Sequence, residues 1–132
     1  MRKIFLILLF LCLSFCVFAE VNESFSKFYE TRDLARKLLN EKKYEEASAK
    51  YLEAEKLAFE LKDNDGGEYA GKQAIADWQR NNAGYSLILA YLETKDKKYL
   101  IEAKEILTFR IIATEAKTKV DKNLAFIKEH LK

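Results

Sequence analysis

YEEASAKYLEA, residues 44–54, sets Tyr44, Ala47, Tyr51 and Ala54 at steps of three, four and three. That spacing places all of them on one side of an α-helix. Alanine at 47 and 54 leaves no long side chain to hold a neighbouring helix away, so two helix axes can approach closely there. The tyrosines fill the space beside each small residue. The stretch therefore predicts a helix pressed against another helix across Ala47 and Ala54.

Working outward, residues 24–40 carry Phe25, Phe28, Ala35, Leu38 and Leu39 on one side, with Glu30, Asp33, Arg36 and Lys37 on the other. That is an amphipathic helix. NEKK at 40–43 interrupts the apolar pattern, and a turn this short makes helices 24–40 and 44–61 an antiparallel hairpin. KDNDGG at 62–67 is a stronger break, because Gly, Asn and Asp accept turn conformations. It is not a calcium loop. With Gly66 at the sixth position, the first would be Leu61 and the twelfth Lys72, where an EF-hand needs oxygen ligands.

A long helix is expected over 69–94, with Ala74, Ile75, Trp78, Tyr85, Ile88, Leu89 and Leu92 on one face. RNNAG at 80–84 is its weak point and leaves its continuity open. KDKK at 95–98 predicts a turn, followed by a helix over about 99–113. A last helix over about 118–131 carries Val120, Leu124, Ile127 and Leu131 opposite Asp121, Lys122, Lys128 and Glu129, the pattern of an end cap. Proline is absent and the four glycines fall between residues 66 and 84. Together these readings predict an all-α fold.

The N-terminus is of a different kind. Arg2 and Lys3 precede an uncharged run from Ile4 to Phe18, and Val17-Phe18-Ala19 ends it. A basic start, an apolar stretch and small residues at the cleavage positions mark a secretory signal. Cleavage is expected between Ala19 and Glu20, giving a signal peptide over 1–19 and one domain over 20–132. The apolar run is shorter than the ~20 residues of a spanning helix. An uncleaved anchor, or acylation at Cys16 in Leu13-Ser14-Phe15-Cys16, remains an alternative. Both cysteines, Cys12 and Cys16, lie in the signal, so the exported part has no disulfide or thiol chemistry. Arg2 and Lys3 are also two of the 23 basic residues, so the remainder balances the 21 acidic ones. The small basic excess belongs to the signal, and no nucleic-acid partner is expected.

Residues 28–61 resemble a tetratricopeptide repeat, in whose second half an aromatic, Ala, an aromatic and Ala recur as Tyr44, Ala47, Tyr51 and Ala54 do. Leu34 and Ala35 match its first half, with Leu38 where an aromatic is usual. Thr31 replaces the common Trp, and Phe59 the common Pro. Residues 81–113 resemble a degenerate second copy, with Leu87, Ile88, Tyr91, Leu100, Ala103 and Leu107. The link between Tyr91 and Ala103 is longer than the family's. The resemblance implies hairpins stacked as a short superhelix, closed by a capping helix at 118–131. It also implies an exported protein- or peptide-binding scaffold of the bacterial envelope. Its groove would hold Tyr29, Arg32, Arg36 and Asn40 from the first repeat, and Asn82, Tyr85 and Glu93 from the second. Arg32 and Arg36 lie one turn apart and suit a carboxylate, so an acidic peptide is the expected partner.

The residues themselves offer no enzyme. His130 is the only histidine and stands near the C-terminus, Glu45 and Glu46 lie on an exposed face, and no Gly-rich phosphate loop exists. No cofactor, metal or membrane span after cleavage is expected. Trp78 reads as a core residue or as a binding anchor. The alternative function is a small structural bundle that self-associates or stays membrane-tethered, suggested by the apolar strip LTFRIIA at 107–113. An ordinary antiparallel bundle of helices is the competing architecture.

Overall fold

The computed structural model describes residues 23–132. The expected signal, its cleavage site and Cys16 lie outside the described residues. The described chain is all-helical: α1 covers residues 23–40, α2 Tyr44–Phe59, α3 Lys72–Thr94, α4 Lys98–Thr108 and α5 Lys117–His130.

Ala47 and Ala54 have no exposed surface and Tyr51 is 3% exposed. Tyr51 and Ala54 meet α1 and α3. Tyr51 packs with Ala35 of α1 and Ala83 of α3, while Ala54 and Ala58 pack with Phe28 of α1 and Ala76 of α3. The Ser48 hydroxyl donates to the Ala83 carbonyl at 3.0 Å, a bond that requires α2 and α3 to lie almost backbone to backbone. Each helix runs antiparallel to its predecessor, and among α2–α5 the α2–α3 interface is the most extensive. A further core cluster joins Leu87 and Ile88 of α3, Leu100, Ala103 and Leu107 of α4, and Val120 and Ile127 of α5.

α3 is continuous through RNNAG. The poor helix formers there have partners that compensate. Ala83 and Gly84 mark close approaches, and a Cβ on Gly84 would fall 2.6 Å from Leu107 Cγ. Asn81 and Arg80 are buried and hydrogen-bonded across to other elements.

Two expected boundaries move. KDNDGG forms the expected turn, with Gly66 at φ 79° and its amide bonded to the Asp63 carbonyl at 2.9 Å. α3 then starts at Lys72 rather than near Tyr69. α4 ends at Thr108, short of the expected 113. Arg110 leaves the helical path to pair with Glu55 and Asp77, and Thr114 also bonds Asp77. Those bonds outweigh the modest helix propensity of the β-branched Ile111 and Ile112.

Candidate functional site

Two polar constellations stand out, one buried and one facing solvent. In the buried one, Glu55 of α2 is 5% exposed, and Asp77 and Arg80 of α3 are 0% and 9% exposed. Arg80 forks onto Glu55, with Nη2 2.5 Å from Oε1 and Nε on Oε2. Its Nη1 donates to the Ile106 carbonyl at 3.0 Å. Arg110 donates through Nη2 to Glu55 Oε2 at 2.8 Å and through Nη1 to Asp77 Oδ1. Asp77 also accepts from Gln73 at 2.9 Å and Thr114 at 2.7 Å. Burial alone would lower the Arg110 pKa. Hydrogen bonds to the Asp77 and Glu55 carboxylates outweigh it, so the pKa lies above the ordinary arginine value.

The charges of these groups cancel, and each is paired within the cluster. The cluster ties α2, α3 and the α4–α5 loop together and leaves no free base or nucleophile. Nothing in the sequence flagged Glu55 or Arg110. Both look like ordinary surface charges until the helices are stacked.

The solvent-facing constellation is a cleft of about 420 Å³ between α3 and α5, lined by Trp78, Asn82 and Tyr85 on one side and Lys119, Lys122 and Asn123 on the other. Asn123 Nδ2 donates to Asn81 Oδ1 at 2.9 Å and ties the walls together at the cleft. No carboxylate lines it. Asn82 and Tyr85 are sequence-expected groove residues, and the cleft brings them together. Lys119, Lys122 and Asn123 escaped the sequence reading, because the face that α5 turns toward α3 is decided by packing.

Tyr29, Arg32, Arg36 and Asn40 lie on α1 and do not line this cleft. Tyr29 is 43% exposed, and Asn40 is exposed where α1 ends. Arg32 donates to Asp33 at 2.8 and 3.1 Å and covers the Tyr29 ring at 4.6 Å. Arg36 reaches the same carboxylate at 3.8 Å. Glu93 hydrogen-bonds the Tyr44 hydroxyl, which raises the phenol pKa.

Trp78 is half-buried, packed on the core and lining the cleft at once. His130 stacks on Phe126 at 3.9 Å, and its Nδ1 lies 2.8 Å from the Phe126 carbonyl. Among the described residues, no cluster of three or more His, Cys, Asp or Glu could hold a metal. No helix among them is long and apolar enough to cross a membrane.

Set against known proteins, the chain matches no family model, no curated sequence and no solved structure.

Proposed function

We propose that the chain is an exported, non-enzymatic module that binds a protein or peptide in the bacterial envelope. The observation that carries this reading is the cleft between α3 and α5. Trp78 and Tyr85 offer amphipathic aromatic surface, Asn82 offers an amide for a peptide backbone, and Lys119 and Lys122 offer positive charge without a lining carboxylate. An acidic or C-terminal carboxylate segment complements that chemistry. The exposed α1 face, with Tyr29, Arg32, Arg36 and Asn40, is the proposed extension of the surface. Its arginines share Asp33, so it contributes less free charge than the sequence suggests.

A tetratricopeptide-like stacking belongs to the same proposal. It is supported by the hairpins α1–α2 and α3–α4, with α5 behind them. Residues in the left-handed region, Lys42 and Lys95, stand after α1 and α3 alike. Export rests on the signal-like N-terminus. Mass spectrometry of the chain expressed in its envelope is expected to show Glu20 as the first residue. An intact Met1 or an acylated Cys16 would reject that part.

The binding test is fluorescence anisotropy with an extended acidic peptide that carries no aliphatic stripe. Lys119→Glu with Lys122→Glu is expected to weaken binding by ~10-fold or more. Unchanged affinity in a folded variant would remove the cleft assignment. A self-associating structural bundle is the second reading. Phe109, 76% exposed, and Ile111, 89% exposed, favour it. Sedimentation at increasing concentration decides it, and a strict monomer would dismiss it.

A further inference from the structure

A separate groove of about 490 Å³ runs between α4 and α5, on residues that the cleft does not use. Its floor is aliphatic: Ile127 is 1% exposed, and Leu124 and Leu131 are half-buried. Its banks are cationic, with Lys104 on α4 facing Lys128 on α5 and Lys132 just beyond the end of α5. Among the described residues these lysines form no ion pair. Glu105 and Glu129 neighbour Lys104 and Lys128 in sequence, yet neither lines the groove.

The helices are antiparallel, and Lys97 Nζ donates to the Lys132 backbone oxygen at 2.9 Å, closing one end. Ile101, 51% exposed, lies one turn before Lys104 on the same strip of α4 and extends the apolar surface. α4 spans Lys98–Thr108, which at ~1.5 Å per residue offers about three turns of docking length.

We propose that this groove docks an acidic amphipathic helix of a partner protein. The partner would carry aliphatic residues at i, i+3 or i+4, and i+7, flanked by Glu or Asp. The apolar stripe would cover Leu124, Ile127 and Leu131, and the carboxylates would meet the lysine banks. The charge is of one sign on both sides, so an acidic partner is favoured over a neutral or basic one. The groove is also open outward. An acyl chain laid in it would leave one side in water, whereas a helix presents its own polar face there. This inference does not depend on the cleft reading.

Fluorescence anisotropy with the chain separates the possibilities. The probe is a labelled helical peptide with a Leu stripe and Glu flanks, and the control has the same stripe with Lys flanks. The Glu-flanked peptide is expected to bind ~10-fold tighter or better, and to weaken as salt rises to ~0.5 M. Lys104→Glu with Lys128→Glu changes only exposed side chains and is expected to invert the preference. Lys119→Glu with Lys122→Glu is expected to leave the affinity unchanged, which keeps this test distinct from that of the cleft.

Equal binding of both peptides, salt-independent binding, or no effect of the groove reversal would overturn the proposal. So would loss of binding through the cleft variant, displacement of the peptide by laurate, or self-association that the groove reversal abolishes in place of peptide binding.

Discussion

Ala47 has no exposed surface, so any methylene added there must displace a neighbour. Ala47→Leu is expected to lower stability by about 1–3 kcal/mol through overpacking, read as the shift in a urea denaturation midpoint. An unchanged midpoint would contradict the close packing. The charged residues divide just as sharply by depth. Glu55→Ala leaves the buried Arg80 without a carboxylate partner, and breaking such a buried pair costs about 3–5 kcal/mol. Asp121→Ala breaks the Lys117–Asp121 pair, whose side chains are more than half exposed, and such a pair contributes only about 0.3–0.5 kcal/mol. Urea titrations of both variants side by side should show that contrast. Similar losses would mean that Glu55 is not buried as described.

At the scale of the element, helix ends here are set by turns as much as by propensity. Lys42 and Lys95 hold φ of 61° and 60°, a region that costs a side-chain-bearing residue about 1–2 kcal/mol. Part of that returns on mutation to glycine as extra freedom in the unfolded chain. Each of Lys42→Gly and Lys95→Gly is therefore expected to stabilise by about 0.5 kcal/mol, seen as a raised thermal midpoint. A lowered midpoint would mean that the lysine side chains contribute contacts worth more than the strain. After α3, the Thr94 hydroxyl accepts from the Asp96 amide at 3.2 Å, and the Asp96 carboxylate accepts from the Lys98 amide at 3.0 Å. These bonds satisfy amides that the start of α4 would otherwise leave unpaired. α4 shows the opposite case. Its apolar tail read as helix, and Arg110 drew the chain out of it.

Across the whole molecule, tyrosines connect the helices and set the response to alkali. Burial raises the Tyr51 pKa against the opposing charges of Arg36 and Arg32. The hydrogen bond to Glu93 raises Tyr44, and the hydrogen bond to Glu45, at 2.6 Å, raises Tyr99. A phenol whose folded pKa exceeds its unfolded value of 10.0 contributes its full stability below that value. The contribution is lost as pH rises through the folded pKa. Stability is therefore expected to fall above about pH 10, and Tyr51→Phe should flatten that fall. Chemical denaturation between pH 8 and 11 checks this, and parallel curves for wild type and variant would rule Tyr51 out as a cause.

Much of the helical layout is legible in the sequence alone, because helix periodicity is a local property. Alanines at 47 and 54 beside Tyr51 carry their packing role in their spacing, and the Gly, Asn and Asp of 62–67 carry their turn chemistry in their own backbone preferences. The binding surfaces were not legible in the same way. Asn82 and Tyr85 were within reach of a repeat register. Lys119, Lys122 and Asn123 entered the cleft only through the rotation of α5 about its own axis. Glu55 and Arg110, 55 residues apart, meet through the stacking of α2 under the α4–α5 loop. Such pairings follow from long-range burial and charge neutralisation, which no local pattern encodes.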